Sequence, residues 1–304
     1  MRIYTHAACL KHSGGIGHPE SPARLAAVLD GLRGAGLRGV EWCEAPPATR
    51  AQLRLAHAES LLERVLDTPI HGSLQIDADT AMNEDSPEAA QRAAGGVCAA
   101  IDAVLHGDCT RAFCAVRPPG HHATADTAMG FCLFNSIAVG AAHAIARHGL
   151  QRVAIVDFDV HHGNGTQDIF EHDGRVLYLS THQRNIYPGT GLPWERGVGN
   201  VLNVALPEGS GGDAFRAAYT HTLLPELDAF RPQLLLISAG FDAHRLDPLA
   251  GLNLDADDYA WVTRELVALA QRHARGRVVS ALEGGYSLTA LRDCSLAHVR
   301  ALLD

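Results

Sequence analysis

The chain has 304 residues, 47% hydrophobic and 19% charged, the balance of an ordinary folded core rather than of a disordered or fibrous chain. A net charge of −9 argues against non-specific binding of nucleic acid and against an anionic membrane surface. There is no apolar run long enough for a membrane span and no signal-peptide pattern in MRIYTHAACLKH, and the seven cysteines lack any C-x-x-C pair, which fits reduced thiols in a cytoplasmic protein.

In chain order, residues 1–4 read as a short strand and 11–22, with HSGGIGHPESP, as a Gly/His/Pro loop. Leu25, Val28, Leu29 and Leu32 recur at helical spacing and predict a helix over 21–32. Residues 40–43 read as a strand, 61–66 as helical and 77–86, with DADTAMNEDS, as a polar loop. Ser86-Pro87-Glu88 is a helix start, and that helix is predicted to run to about residue 105. A strand at 113–116 ends in Arg117-Pro118-Pro119-Gly120, a breaker, and the apolar stretch 131–147 predicts a buried helix. Strands are predicted at 153–156, 176–180, 201–204, 234–238 and 278–282, with helices from near 166 and over 214–230, 257–273 and 288–303. No linker, repeat or low-complexity tract divides the chain, so one domain over 1–304 is expected. Alternating strands and helices make it α/β, with a mostly parallel, doubly wound sheet and helices on both faces.

The chemistry gathers after the apolar strands. In 153–166, VAIVDFDVHHGNGT, residues Asp157, Asp159 and His161 lie two apart, and side chains two apart on an extended chain point the same way. Two carboxylates and an imidazole would thus meet at the carboxyl end of a buried strand, where open α/β sheets place their ligands. Oxygen and nitrogen donors without thiolate suit a catalytic zinc, which keeps one position open for water. Asp-x-His alone is also the mark of an ordinary hydrogen-bonded strand end. ISAGFDAH adds Asp242 as a third metal donor, with His244 behind it or at the rim. In RPPGHH, the adjacent His121 and His122 cannot easily chelate one metal together; they read as a proton-transfer pair with different partners, or else as a solvated loop. LEGGY delivers Tyr286 between glycines and a strand end, where a phenol can donate to a carbonyl and then to its oxyanion, unless it is a core tyrosine. Phe131, after Gly130, and Tyr187, in YPGTG, are either core rings or the walls of a narrow slot for an alkyl chain.

RPPGHHA, GFCLFN, DFDVHHGNGT, YPGTG, SAGFDAH-x-x-DPL and EGGY, in this order, together with GHPESP and Arg24, resemble the zinc-dependent histone deacetylase family, and its class II-like bacterial members in particular. The resemblance covers about residues 12–286. It implies an arginase–deacetylase fold and hydrolysis of the amide on the side-chain nitrogen of acyl-lysine. At the matching positions it implies that Asp159, His161 and Asp242 hold Zn²⁺. His122 would be general base and then general acid, with His121, paired to Asp157, acting electrostatically or in proton transfer. Tyr286 would polarise the acyl carbonyl. Asn164 stands where some members carry Asp as the partner of His122, which leaves that histidine a little less basic. Phe131 and Tyr187 match the walls of a lysine tunnel lined by Gly130, with Leu249 at its rim and Gly284 and Gly285 against the substrate. A structural K⁺ held by main-chain oxygens of Asp157, Asp159 and His161 near Ser180 is implied as well.

Leu249 offers no charge to a polyamine, so an acyl-lysine protein or peptide, acetyl by default, is the expected substrate. The acidic loop 79–85 is the other place where a cation could be received. An acylpolyamine amidohydrolase on the same fold is the main rival. An arginase-like ureohydrolase would want two manganese ions and more carboxylates, and a silent acyl-lysine binding module would lack the histidines or the tyrosine. Neither nucleic acid nor membrane is an expected partner, and a homo-oligomer stays open.

Overall fold

Continuous apolar runs bounded by glycine and proline make strands covered on both faces. In the computed structural model, which describes residues 1–304, these runs form one sheet. The strands in chain order are β1 (Arg2–Thr5), β2 (Glu41–Glu44), β3 (Leu74–Gln75), β4 (Ala81–Met82), β5 (Arg111–Cys114), β6 (Val153–Asp157), β7 (Val176–Gln183), β8 (Val201–Leu206), β9 (Leu234–Ala239) and β10 (Val278–Leu282). Eight of them pair in the order β2-β1-β5-β10-β9-β6-β7-β8, every pair parallel. Each residue of β5, β6, β9 and β10 is buried, whereas the edge strand β2, EWCE, is mostly exposed and carries its charges outward, as an edge should. β3 and β4 form a separate antiparallel hairpin, with β4 inside the stretch expected to be loop (77–86) and β3 just before it.

The helices are α1 (Pro22–Gly34), α2 (Arg50–Leu53), α3 (Glu59–Leu62), α4 (Ser86–His106), α5 (Ser136–His148), α6 (Asn164–Phe170), α7 (Gly212–Ala218), α8 (Leu224–Phe230), α9 (Ala256–His273) and α10 (Leu288–Leu303). α4 and α5 pack on each other and on the sheet, and α1, α9 and α10 form a second packed group. The expected doubly wound α/β architecture is therefore the observed one.

The strand expected at 113–116 lies at Arg111–Cys114, the helical stretch 61–66 splits into α3 and a widened turn at Glu63–Asp67, and three larger differences have a physical cause. The buried helix after Gly130 starts five residues late, at Ser136, because Asn135 caps it by accepting from the Ala138 N–H (3.0 Å) and Phe131 sits in the left-handed region (φ 68). Apolar content without a clear period cannot place such a start. The helix expected over 214–230 contains a widened turn, Tyr219–Leu223, just before Pro225, whose missing N–H would break a regular ladder. β7 continues to Gln183, and its residues 181–183 pair in register with β8.

Candidate active site

The carboxyl ends of β5, β6, β9 and β10 lie side by side, so the loops beyond them meet. β6 ends at Asp157, and the chain turns there because Asp157 Oδ1 accepts the Asp159 N–H (3.1 Å). Asp157 and Asp159 therefore do not act as one row, contrary to the expected alternation. Asp157 faces His121, while Asp159 and His161 face Asp242 from the end of β9. The ligand atoms of Asp159, His161 and Asp242 all lie within 4.8 Å of one another. His161 Nδ1 is 3.1 Å from Asp159 Oδ1 and 3.3 Å from Asp242 Oδ2. Tetrahedral bonds of ~2.0–2.1 Å separate ligands by about 3.3 Å, so this trio is spaced for zinc. Each carboxylate is aimed by the backbone: Gly284 N–H donates to Asp159 Oδ2 and Val160 N–H to Asp242 Oδ1, both at 2.8 Å. Asp242 Oδ2 is buried and has no hydrogen-bond partner, an oxygen that calls for a cation. Burial and the Asp159 carboxylate push Asp242 up to about 7. Burial opposes protonation of His161, but the two carboxylates outweigh it and raise the imidazole to about 10. A divalent cation would relieve both strains, so the donor set fits zinc.

Gly284 and Gly240 make this approach sterically feasible. A Cβ on Gly284 would lie 2.0 Å from Asp242 Oδ2, and one on Gly240 2.0 Å from Asp159 Oδ2.

His121 and His122 arrive on the loop after β5. Glu283, at the end of β10, holds that loop by accepting the Gly120 N–H (2.6 Å) and the His121 N–H (3.2 Å) on one oxygen. The two imidazoles then diverge. His121 Nδ1 meets Asp157 Oδ2 at 3.0 Å; burial would depress this histidine, but Asp159 and Asp157 outweigh it and hold it at about 10. His122 Nδ1 meets Asn164 Oδ1 at 2.8 Å. An amide oxygen only accepts, so the proton sits on Nδ1 and Nε2 keeps its lone pair. Burial, then the charges of His121 and His161, hold His122 well below its ordinary value. The result is one charged and one neutral imidazole with ring centroids 4.0 Å apart.

Above them opens a slot of about 220 Å³ lined by Asp79, His122, Gly130, Phe131, His161, Tyr187, Leu249 and Tyr286. Gly130 has no side chain to spare, since a Cβ there would sit 2.6 Å from the His122 ring and 2.9 Å from the Tyr187 hydroxyl. Tyr286 is set by its backbone N–H, which donates to Asp247 Oδ2 (2.7 Å), and by the buried Arg24 guanidinium, 4.8 Å from its ring centroid.

A histone deacetylase domain model matches residues 18–302. This chain belongs to the histone deacetylase family. It is 42% identical to a histone deacetylase-like amidohydrolase of Pseudomonas aeruginosa over 94% of this chain and 77% of that protein. It is 39% identical to an uncharacterized protein of Synechocystis over 100% of this chain and 99% of that one. The crystal structure of the HDA15 HD domain superposes with a TM-score of 0.94 at 38% identity, covering 99% of this chain and 87% of that domain. The chain is thus a hydrolase of the histone deacetylase family, and none of its helices is long and apolar enough to cross a membrane.

Most of the deacetylase-family positions singled out from sequence come together, but two do not take the expected place. Gly284 and Gly285 do not line the slot: Gly284 backs the Asp159 and Asp242 carboxylates, and the Gly285 carbonyl accepts from Arg24 Nε (2.5 Å). His244 lies under the 244–249 loop, its Nδ1 accepting the Leu246 N–H (3.1 Å). Ser180 pairs with Asp157 across β6 and β7. Asp79 was expected only as part of an acidic loop that could receive a cation, and Asp247 and Glu283 carried no expectation as site residues. Asp79 enters the slot wall from the hairpin loop, whose Thr80 Oγ1 accepts the Phe131 N–H (3.0 Å). Asp247 and Glu283 lie inside the DPL and EGGY motifs, the only signal that could have found them.

Proposed function

We propose that the protein is a zinc-dependent amidohydrolase that removes an acyl group, acetyl by default, from the side-chain amine of lysine in proteins or peptides. The observation that carries this reading is the clustering of Asp159, His161 and Asp242 at the floor of a slot that also displays His122 and Tyr286. Zinc, when bound there, supplies Lewis-acid polarisation of the acyl carbonyl and acidifies water.

The remaining chemistry belongs to the side chains. The free Nε2 of His122 takes a proton from the attacking water and returns it to the departing amine, which cannot leave as an anion. His121 keeps its proton on the Asp157 side and stays cationic beside the developing negative charge. The Tyr286 hydroxyl donates to the acyl oxygen as charge builds on it. Asn164 fixes the His122 tautomer without adding negative charge, so the base stays weak and mostly unprotonated. Phe131 and Tyr187 exclude water from the methylenes of the substrate. At ~30 Å³ per water-sized group the slot holds about seven such groups, close to the length of an acetyl-lysine side chain.

Leu249 at the slot lining leaves that wall without charge, which favours peptide over polyamine. Asp79 on the same slot favours the second reading, an acylpolyamine whose distal amine pairs with that carboxylate. Turnover of acetyl-lysine peptides and of acetylputrescine by the zinc-loaded protein, with a hydroxamate control, separates the two. Absence of turnover on every acylated amine sinks both.

A further inference from the structure

A second group of metal-binding side chains lies at the opposite edge of the sheet. α4 and α5 end just before β5 and β6 begin, whereas the slot lies beyond the ends of those strands. On the last turns of the two helices, Asp102, His143 and His148 place one ligand atom each within 4.8 Å of one another. Both imidazoles aim their Nε2 at a single oxygen, Asp102 Oδ1, from 2.8 Å (His143) and 2.6 Å (His148). Their rings are not stacked but lie at 78°, with centroids 5.7 Å apart. A third imidazole, His106, stands with its centroid 5.5 Å from that of His148. None of these residues touches the slot or belongs to the family motifs.

We propose that Asp102, His143 and His148 form a second divalent-metal site that ties α4 to α5. The donor set is two imidazole nitrogens and one carboxylate oxygen, which selects zinc and its neighbours copper(II) and nickel(II) over magnesium or calcium, whose sites are built from oxygen. The electrostatics suit a cation. Both helices point their carboxyl ends, the negative poles of their dipoles, at the cluster. The geometry needs little change. Ligands on a tetrahedral zinc lie about 3.3 Å apart, so the Nε2–Oδ1 spacings must open by roughly half an ångström. The Asp102 and His148 side chains retain 38% and 15% of their exposure, which gives them room to move and the ion a way in. Water or His106 can supply the fourth position. The site is independent of the catalytic reading.

The alternative is a hydrogen-bonded triad, with each imidazole donating Nε2–H to the shared carboxylate and no ion. Metal counting separates the two. The full-length chain is stripped of metal, equilibrated with micromolar zinc and desalted, and zinc per chain is measured. Wild type is expected to retain two equivalents, and His148→Gln or Asp102→Asn one. The Asp159→Asn/Asp242→Asn chain is expected to keep one equivalent and to lose it when His148→Gln is added. Zinc should also raise the melting temperature of that double variant by several degrees, and not that of the triple variant. The proposal is overturned if the double variant retains no zinc, or if adding His148→Gln leaves its zinc content unchanged. Circular dichroism in chelator shows whether each variant is folded, and cobalt(II) absorption of the double variant gives a readout that needs no substitution at the new site. A spectrum without tetrahedral cobalt bands counts against it.

Discussion

Replacing Tyr286 by phenylalanine isolates one atom of the site. The Tyr286 ring is held by contacts that do not involve its hydroxyl. Its backbone N–H is accepted by Asp247, its face meets Arg24, and its edge meets Phe131 at a centroid distance of 5.9 Å. Arg24 is itself clamped by Glu20 (2.8 Å) and by the Glu283 and Gly285 carbonyls (2.5 Å each). The phenylalanine ring should therefore keep its place, and the ligand trio, which Tyr286 does not touch, should keep its metal. The loss is a single donor to the developing oxyanion, worth about 10² to 10³ in kcat, or roughly 3–4 kcal/mol. KM should change by no more than about twofold, because the interaction is made in the transition state. The assay is steady-state hydrolysis of an acetyl-lysine peptide by the zinc-loaded variant, with zinc per chain and melting temperature measured alongside. A kcat within tenfold of wild type, with metal and fold intact, would refute the assigned role.

Four further outcomes are expected. Asp242→Asn removes a buried charge that burial and Asp159 disfavour, so zinc uptake at the catalytic trio should be lost while the metal-free protein gains resistance to urea; unchanged zinc affinity there would count against Asp242 as a ligand. Gly284→Ala drives a Cβ to 2.0 Å from Asp242 Oδ2, so circular dichroism should persist while activity falls by about 10² or more, in line with the rate loss a 1 Å misplacement can cause, and near-normal turnover would contradict the packing. Burial holds His57 at about 4 and His298 at about 3 in the folded state, against about 6.5 when unfolded. Between pH 6.5 and those values each of these histidines binds more protons in the unfolded chain, so its contribution to stability falls as pH drops, by about 1.4 kcal/mol per pH unit, against the opposite trend of Asp242 and Glu283, both pushed up to about 7 by burial; a His57→Gln chain whose urea midpoint falls between pH 7 and pH 5 as much as that of wild type would exclude this. Leu249→Glu puts a carboxylate on the slot lining and should raise acetylputrescine turnover relative to acetyl-lysine peptide by roughly fivefold, from ~1 kcal/mol for a solvated pair at ~4 Å, whereas an unchanged ratio would place the distal amine elsewhere.

The parts of the site legible in the sequence share one physical cause. Each comes directly after an apolar strand, and parallel strands deliver their succeeding loops to the same edge of the sheet. Asp159, His161, Asp242, His122 and Tyr286 could be named for that reason and through the family resemblance. Strand alternation failed at Asp157 because the strand stops there and the backbone turns on the Asp157 side chain itself. Gly284 and Gly285 read as neighbours of the substrate, yet Gly284 is glycine because the Asp242 and Asp159 carboxylates occupy the space a Cβ would take, and Gly285 because its φ of 118 is left-handed and Leu291 and Phe241 close in on it. Asp247 and Glu283 act by accepting main-chain N–H bonds from distant loops, and such a carboxylate looks like any other acid in a sequence. The Asp102, His143 and His148 cluster was equally hidden: its members lie on two helices whose packing, not their spacing, brings them together.

The middle of the sheet is the last part to be made. β10 inserts between β5 and β9 although all other strands precede it in the chain. Until it arrives, a growing polypeptide can assemble only two half-sheets, each with an unpaired inner border open to wrong partners. The half built on β6 and β9 already contains Asp159, His161 and Asp242, the three proposed metal donors, and the half built on β5 contains His121 and His122. Synthesis of the last tenth of the chain, from β10 onward, therefore joins the half that carries the proposed metal donors to the half that carries the two imidazoles, and the slot is complete only when they close on each other.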